Sequence, residues 1–225
     1  MATRANVSPN YLIRLGIVGG VCVAMGLWFL YDGLVGYPAK RERGLDRIEF
    51  FEEHKNEKDE NGDPLGELQL SEMWKERAAE KGWPTDNPLN PETGKELAVV
   101  DINEQFFYAG GAGLIGLGFL SRLVYMLGRW VETEGTTLRT KGGQETDFSQ
   151  ITALDKKKWQ SKGIAWVDYQ EAGSKKKIRL DDYYYDRAAT KEILLQIEAA
   201  IGPDKIVNGK PEPPEKPAVA VEADA

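Results

Sequence analysis

Two apolar segments constrain the fold of this 225-residue chain more than any other feature. The first runs from Leu15 to Tyr31 and the second from Gln105 to Ser121, and neither contains a charged side chain. Each lies at the lower end of the ~17–25 residues that an α-helix needs to cross a bilayer. Residues 11–37 and 105–130 extend them to full spans, with arginines placed where their head groups can reach the polar layer. The pattern predicts two transmembrane helices.

Buried core helices and a cleaved signal peptide are the alternatives for such segments. Two core helices would have to flank a very polar stretch, which is unusual in a soluble domain. The first segment is longer than the ~7–15-residue apolar region of a signal peptide, and no A-x-A cleavage site follows it. We therefore favour an uncleaved membrane anchor.

The composition excludes several kinds of chemistry. The single cysteine, Cys22, and the single histidine, His54, rule out a thiolate metal cage and a histidine cluster. The net charge of -7 argues against a nucleic-acid partner, which would require a basic surface. No nucleophile elbow, phosphate loop or dinucleotide fingerprint occurs in the sequence. We predict a non-enzyme with no catalytic residues, cofactor or metal and with no identifiable small-molecule substrate; an enzyme that uses carboxylates alone is the alternative.

The run DENGDP resembles the start of a calcium loop. That motif requires glycine at its sixth position and a carboxylate at its twelfth, where this chain has Pro64 and Leu70. We interpret the run as a solvated turn.

Small residues recur along both apolar segments. In a membrane, helices associate through close backbone contact, which small side chains permit. We predict helix packing at six positions: Gly16, Gly20, Ala24, Ala109, Gly113 and Gly116. A tight hairpin or a homo-oligomer would use this contact, whereas the general abundance of glycine in membrane helices is the simpler explanation.

The segment between the spans, residues 38–104, is acidic and partly helical. From residue 39 to residue 104 it has 18 acidic and 10 basic residues. One helix is predicted over LQLSEMWKERAAEKGWP, with Ser71 as N-cap and Gly82 at its C-terminus. A second is predicted over LDRIEFFEEHKN. Residues 1–10 are expected to form a tail.

After the second span the sequence changes to short runs that are typical of strands separated by turns. In one strand Ile164, Trp166 and Asp168 would share a face, with Ala165, Val167 and Tyr169 on the other. A helix follows, with Asp186 as its N-cap, and Gly202-Pro203 end it. Its apolar stripe is formed by Ile193, Leu194, Ile197, Ala200 and Ile201. Residues 203–225 are rich in proline, glutamate and alanine and are expected to be disordered.

Residues 130–202 resemble the bacterial pleckstrin-homology-like domain of small membrane proteins. The likeness lies in TEGTTLRT, DFSQITALD, SKGIAWVDY, KIRLDDYYYD and ILLQIEAAIG. For residues 131–202 it implies a small α+β domain, an antiparallel sheet or barrel capped by a C-terminal helix. Such domains bind proteins or peptides, or assemble with themselves, and carry no catalytic machinery. The resemblance transfers no lipid-binding residue to this chain.

Two basic clusters stand out in the predicted domain. They comprise Lys156, Lys157, Lys158 and Lys162, and Lys175, Lys176, Lys177 and Arg179. The domain follows the second span closely, so these side chains could contact anionic lipid headgroups. Solvated hairpin tips are the alternative.

Topology and function follow from these expectations. Near the spans, six basic residues lie on the side of the termini and five on the side of the loop, which slightly favours cytoplasmic termini. The resemblance implies the same orientation in a bacterial inner membrane, with residues 38–104 in the periplasm. We predict a membrane-anchored interaction or scaffold protein whose partners are membrane lipids and a protein or a second copy. An accessory subunit that packs through its glycine-rich helices is the alternative.

Overall fold

The computed structural model describes residues 2–59, 61–90 and 93–213. The chain divides into two compact units. One comprises Met1–Ile17 with Leu120–Ala225, and the other comprises Val18–Phe119. The first unit contains the sheets, and the second contains most of the helical residues.

The first apolar segment belongs to a helix that continues well beyond it. Helix α1 (Pro9–Tyr31) passes through a widened π turn (Asp32–Gly36) into α2 (Tyr37–His54). The N–H of Tyr37 donates to the carbonyl of Asp32, as a π turn requires. Pro38 has no N–H to donate, and the wider turn accommodates it without ending the helix. The helix predicted over LDRIEFFEEHKN is therefore not a separate element but the C-terminal part of one continuous helix.

The second apolar segment lies in α4 (Val99–Met126), which follows α3 (Glu67–Glu80). The helices that contain the two segments are long and apolar enough to cross a membrane. Only 17% and 6% of their most apolar windows are buried, whereas core helices of a soluble protein would be mostly buried. Large side chains such as Trp28 and Leu114 are 66% and 74% exposed. The fold thus has two helices that could span a membrane.

Helices α2 and α3 contact each other through a small aromatic cluster. Phe50, Trp74 and Ala78 are buried in it. The guanidinium of Arg47 lies 4.5 Å from the ring centroid of Phe51 and 5.2 Å from that of Trp74. These cation–π contacts supplement the limited apolar area of the acidic segment.

Helix α3 confirms the prediction over LQLSEMWKERAAEKGWP, although it begins earlier. Gly66 precedes the helix, and its N–H donates to the side-chain oxygen of Gln69 at 2.9 Å. Ser71, the predicted cap, lies inside the helix. The helix ends near Gly82 as predicted, and a φ of +67° there favours glycine.

The sheet-containing unit has two four-stranded sheets. The strands are β1 (Ala2–Asn6), β2 (Trp130–Glu134), β3 (Thr137–Thr140), β4 (Glu145–Asp147), β5 (Ile151–Lys158), β6 (Ile164–Glu171), β7 (Ser174–Asp181) and β8 (Ile206–Val207). The strand orders are β1-β2-β3-β4 and β7-β6-β5-β8. Strands β5 and β8 pair in parallel, and the other neighbours are antiparallel. A short helix α5 (Trp159–Lys162) joins β5 to β6, and α6 (Arg187–Ile201) follows β7.

Both sheets and α6 contribute to one hydrophobic core. Three residues of the predicted stripe on α6, Ile193, Leu194 and Ile197, are fully buried in it. The predicted faces of β6 are confirmed, because Ala165, Val167 and Tyr169 all point into the core. Each of the buried isoleucine, leucine and valine side chains contributes about 1.5–3 kcal/mol when it leaves water.

The predicted ends of α6 are also observed. Asp186 accepts a hydrogen bond from the N–H of Ala189 at 2.9 Å, as an N-cap does. Gly202 follows the last turn with a φ of +77°. Of the predicted stripe, Ala200 is exposed and Ile201 is only partly buried.

The N-terminal residues form a strand instead of the expected tail. Strand β1 pairs along its whole length with β2, from Ala2 opposite Glu134 to Asn6 opposite Trp130. Its side chains alternate, so that Thr3 and Ala5 face inward. The strand is short and its partner is distant in sequence, so local patterning could not identify it. Trp130 accordingly begins β2 and does not end the second helix.

The C-terminal segment is ordered further than expected. A 3₁₀ turn (Pro203–Lys205) leads into β8, and the described chain continues to Pro213. The remaining part of the expected disordered tail, residues 214–225, lies outside the described residues.

Membership of β1 in the core can be tested with two aspartate substitutions. Ala5 is 0% exposed, whereas Ala2 in the same strand is exposed. Ala5→Asp should lower the free energy of unfolding by about 3–5 kcal/mol, because it buries an unpaired carboxylate. Ala2→Asp should have little effect. Thermal unfolding of the full chain in detergent, followed by tryptophan fluorescence, measures both, and equal effects would show that β1 is not part of this core.

Candidate functional site

Helices α1 and α4 approach each other through their backbones. Gly26 is buried, and a Cβ added there would lie 3.1 Å from the amide nitrogen of Gly113 and 3.2 Å from the carbonyl oxygen of Ala109. Farther along the same contact, a Cβ added at Gly116 would lie 2.8 Å from the amide nitrogen of Val23. Side chains larger than hydrogen at Gly116 would require the backbone to move, so glycine permits this contact.

The predicted packing residues of α4 are in this contact, whereas those of α1 are largely outside it. Ala109, Gly113 and Gly116 take part as predicted. Gly20 and Ala24 are exposed and lie on a neighbouring face of α1. Packing of these two positions against a second copy, as in a homo-oligomer, stays a prediction. The contacting face carries instead Gly19, Val23 and Gly26, a helical series that the sequence also contains. Gly16 lies in the sheet-containing unit, where an added Cβ would be 3.8 Å from the side chain of Leu123.

Two alanine substitutions on α4 should separate packing from helix propensity. Gly116→Ala and Gly118→Ala each gain up to about 1 kcal/mol of helix propensity. At Gly118 an added Cβ meets no neighbouring atom of the described residues within 4 Å, so this variant should be neutral or stabilised. At Gly116 the clash should cost about 1–3 kcal/mol and make the net effect destabilising. Thermal unfolding in detergent, followed by far-UV circular dichroism, measures the difference, and equal stability would contradict the contact.

Lys156 of the first basic cluster is buried. Its Nζ donates to Oε1 of Glu198, to Oε1 of Glu212 and to the carbonyl of Lys210, each at 2.7 Å. With its side chain only 1% exposed, Lys156 cannot contact a lipid headgroup, and the prediction is wrong at this position. In the strand, Lys156 faces the same side as the buried Leu154, whereas Lys157 is exposed. The run of three lysines in the sequence does not show this difference.

The other predicted headgroup contacts remain on the surface. Lys157, Lys158, Lys162 and Lys175 are exposed, and Arg179 is half-buried. Lys176 pairs with Glu171, and Lys177 lies 3.1 Å from a carboxylate oxygen of Asp168. Strand β7, which carries Lys175 to Lys177, is at the edge of its sheet. Lysines on an edge strand discourage pairing with other strands, which is a structural use for this cluster.

Lys156 should be essential for the stability of the C-terminal segment. Lys156→Met leaves Glu198 buried without its cation and should cost about 3–5 kcal/mol. Lys157→Met, a change at the exposed neighbour, should be nearly neutral. Thermal unfolding and limited proteolysis near residue 210 report the two effects. If Lys156→Met melts like the wild type and resists the protease equally, the buried ion pairs do not hold the segment.

A pocket of about 200 Å³ lies at the C-terminal end of α4, within the sheet-containing unit. We call it the arginine–tyrosine pocket, after six of its lining residues: Arg122, Tyr125, Arg129, Arg179, Tyr184 and Tyr185. The first two belong to α4, Arg129 precedes β2, Arg179 belongs to β7, and the other tyrosines lie between β7 and α6.

The three arginines of the pocket have different partners. Arg179 forms an ion pair with Asp181, a residue that is 1% exposed. Arg122 and Arg129 have no carboxylate within 4 Å in the described part of the chain. The guanidinium of Arg129 lies 3.8 Å from the ring centroid of Tyr125, and that of Arg122 lies 5.3 Å from that of Tyr184. These cation–π contacts orient the two cations without neutralising them.

Tyr185 supplies a hydroxyl to the same pocket. A tyrosine phenol is protonated at neutral pH, and burial raises the pKa of Tyr185 further. It can therefore donate a hydrogen bond to an anion.

The sequence alone does not reveal this pocket. From the sequence, its arginines are only basic residues near a membrane span, and Asp186 is only the predicted N-cap of a helix, which the structure confirms. The signal was the interleaving of arginine and tyrosine in RLVYMLGRW and in KIRLDDYYY, but only the fold brings the two segments together.

The structure provides no metal centre in its described residues, which contain no group of three or more histidine, cysteine or acidic side chains that could hold an ion. At the calcium-loop-like run, the carboxylate of Asp59 accepts the N–H groups of Asn61 and Asp63 at 2.9 and 3.0 Å. This is a local turn, as interpreted from the sequence.

Comparisons of this chain with known protein families, with curated proteins and with solved structures find no match. The resemblance to the pleckstrin-homology-like domain therefore stays a prediction.

Proposed function

We propose that this chain is a membrane-anchored, non-catalytic interaction protein whose C-terminal domain binds a protein partner or a second copy of itself beside the membrane. In this proposal α1 and α4 cross a bacterial inner membrane. The termini and the sheet domain, of the pleckstrin-homology-like type, face the cytoplasm, and residues 38–104 face the periplasm.

The observation that supports this function best is the pairing of β1 with β2. Strand β1 ends at Asn6 and α1 begins at Pro9, while α4 ends at Met126 and β2 begins at Trp130. One sheet therefore takes strands from directly before the first apolar helix and directly after the second. No long linker separates β1 from α1 or α4 from β2. Short connections of this kind suit a scaffold that works beside the membrane.

The positions of the histidine and the cysteine favour binding over catalysis. The ring of His54 stacks on Phe50 with centroids 4.1 Å apart, and its Nδ1 lies 2.8 Å from the carbonyl oxygen of that residue. Cys22 lies within the apolar helix α1. Neither side chain lines the arginine–tyrosine pocket, and His54 is engaged in local packing.

The outer face of the β5–β6–β7 sheet offers a surface for a partner. Trp166 lies half-buried there, in a groove of about 400 Å³ that Lys157, Lys158 and Lys177 also line. Tryptophan is enriched among the residues that dominate binding energies at protein interfaces. The neighbouring lysines favour a partner with acidic side chains.

Photo-crosslinking in intact cells tests this surface. A photoreactive amino acid at Trp166 of the full chain should yield a specific crosslink, whereas the same group at the exposed Glu145 on β4 should not. Lys157→Glu with Lys158→Glu should reduce the Trp166 crosslink, because the changes repel an acidic partner. A product of two copies of this chain would identify self-association. Equal labelling at Trp166 and Glu145 would contradict an interface on this face.

An accessory subunit of a larger membrane complex is the second candidate. This candidate is favoured by three glycines of α4 that do not contact α1. Cβ atoms added at Gly110, Gly111 and Gly118 would meet no neighbouring atom of the described residues within 4 Å. Another helix could approach closely there.

Co-purification of partners with the tagged full chain, which keeps position 166 free for substitution, separates the two functions. Gly111→Leu and Gly118→Leu should abolish association with a complex that packs on α4, while leaving a partner bound at the sheet face. Trp166→Ala should have the opposite effect.

A further inference from the structure

The arginine–tyrosine pocket has an unbalanced positive charge. The ion pair between Arg179 and Asp181 is neutral as a unit, which leaves the charges of Arg122 and Arg129. Both of these arginines are half-buried, and no carboxylate of the described residues lies within 4 Å of either. Cations that are partly removed from water gain most from an anion that approaches them directly.

The donors of the pocket suit a phosphate group. Guanidinium groups present planar forks of N–H donors that match phosphate oxygens. The Nε of Arg179 is buried and has no hydrogen-bond partner among the described residues. The protonated hydroxyl of Tyr185 provides a further donor. At about 200 Å³, the pocket is smaller than the ~300–1,000 Å³ typical of sites for drug-sized molecules.

We propose that the arginine–tyrosine pocket binds the phosphate group of an anionic ligand, supplied either by a phospholipid headgroup or by a soluble phosphate. Of these two sources, a phospholipid headgroup fits the position of the pocket more directly. The pocket begins at Arg122, within the last turns of α4, and continues past its end at Met126. If α4 crosses the membrane, which is the premise taken from the proposed function, these residues lie at the depth of the headgroups.

Capping of α4 is the competing role for these arginines. The Nε of Arg129 donates to the carbonyl oxygen of Tyr125 at 3.3 Å, and cations are favourable at a helix C-terminus. A capping arginine affects stability in every condition, whereas a ligand-binding arginine affects stability and retention only when the anion is present. This difference defines the experiment.

The experiment uses the full chain in nanodiscs. One set contains phosphatidylcholine alone, a second also contains phosphatidylglycerol, and a third contains phosphatidylcholine with added inorganic phosphate. Ionic strength is kept equal with chloride. Thermal stability is measured in each set, and native mass spectrometry measures the lipid retained after release from the nanodisc.

The variant Arg122→Gln with Arg129→Gln removes the two unpaired charges. The variant Lys157→Gln with Lys158→Gln removes the same charge from the exposed sheet face, and thus tests the other basic surface. Tyr185→Phe removes a single hydroxyl and retains the arginines, so it keeps the proposal testable if the arginine variant does not fold.

We expect the anion to stabilise the wild type and the lysine variant. The arginine variant should bind it about thirtyfold more weakly, and Tyr185→Phe about fivefold more weakly. Stabilisation by phosphatidylglycerol but not by inorganic phosphate identifies a lipid site. Stabilisation by inorganic phosphate in neutral nanodiscs identifies a site for a soluble phosphate. Either result supports the proposal when the stabilisation is lost in the arginine variant or in Tyr185→Phe.

Three results would overturn the proposal. They are the absence of any anion effect in the wild type, an unchanged effect in both pocket variants, and an equal loss in the lysine variant. A failure of the proposed function is distinguishable, because incorporation into nanodiscs and the crosslink at Trp166 are measured independently of the pocket.

Discussion

The pairing of β1 with β2 is the interaction on which the rest of the sheet-containing unit depends. It joins two segments from opposite ends of the chain, and a small cluster of Val7, Tyr11, Leu15 and Met126 extends it onto the first turns of α1 and the last turn of α4. The ladder therefore fixes the ends of both helices against one sheet. Because β2 follows α4 so closely, the same pairing also positions Arg122 and Arg129 beside β7. The arginine–tyrosine pocket is a consequence of this arrangement.

Positive charge has three different physical roles in this domain, although the residues look alike in the sequence. Lys156 pairs with two carboxylates inside the fold, and the lysines of β7 protect a sheet edge. Arg122 in α4 and Arg129 just after it have no carboxylate within 4 Å among the described residues. Burial and the neighbouring side chains decide between these roles. A count of basic residues in a segment therefore says little about which of them is available to a ligand.

Features that depend on residues close together in the chain could be predicted from the sequence. The alternating faces of β6, the N-cap at Asp186 and the helix around Trp74 depend on residues within one or two turns of each other. The apolar character of α1 and α4 is similarly local. For these elements, the side chain and its spacing suffice.

Features that depend on a distant partner could not be predicted. Strand β1 acquires its identity from β2, and the face of α1 that contacts α4 depends on the positions of Gly113 and Gly116. The candidate pocket belongs to the same class, since its arginines and tyrosines come from segments that only the fold joins. The extent of the C-terminal segment likewise depends on the buried Lys156.

The position of β1 also has a consequence for biosynthesis. This strand leaves the ribosome before α1, yet its partner β2 is synthesised only after both apolar helices. The sheet cannot be completed by local contacts, and such long-range pairing is intrinsically slow. If the helices enter a membrane, β1 reaches β2 only when both have been inserted and the two ends of the hairpin have emerged on the same side. Completion of the sheet would then require insertion of both helices, and a chain with one helix left uninserted would keep an unpaired strand edge that is prone to aggregation.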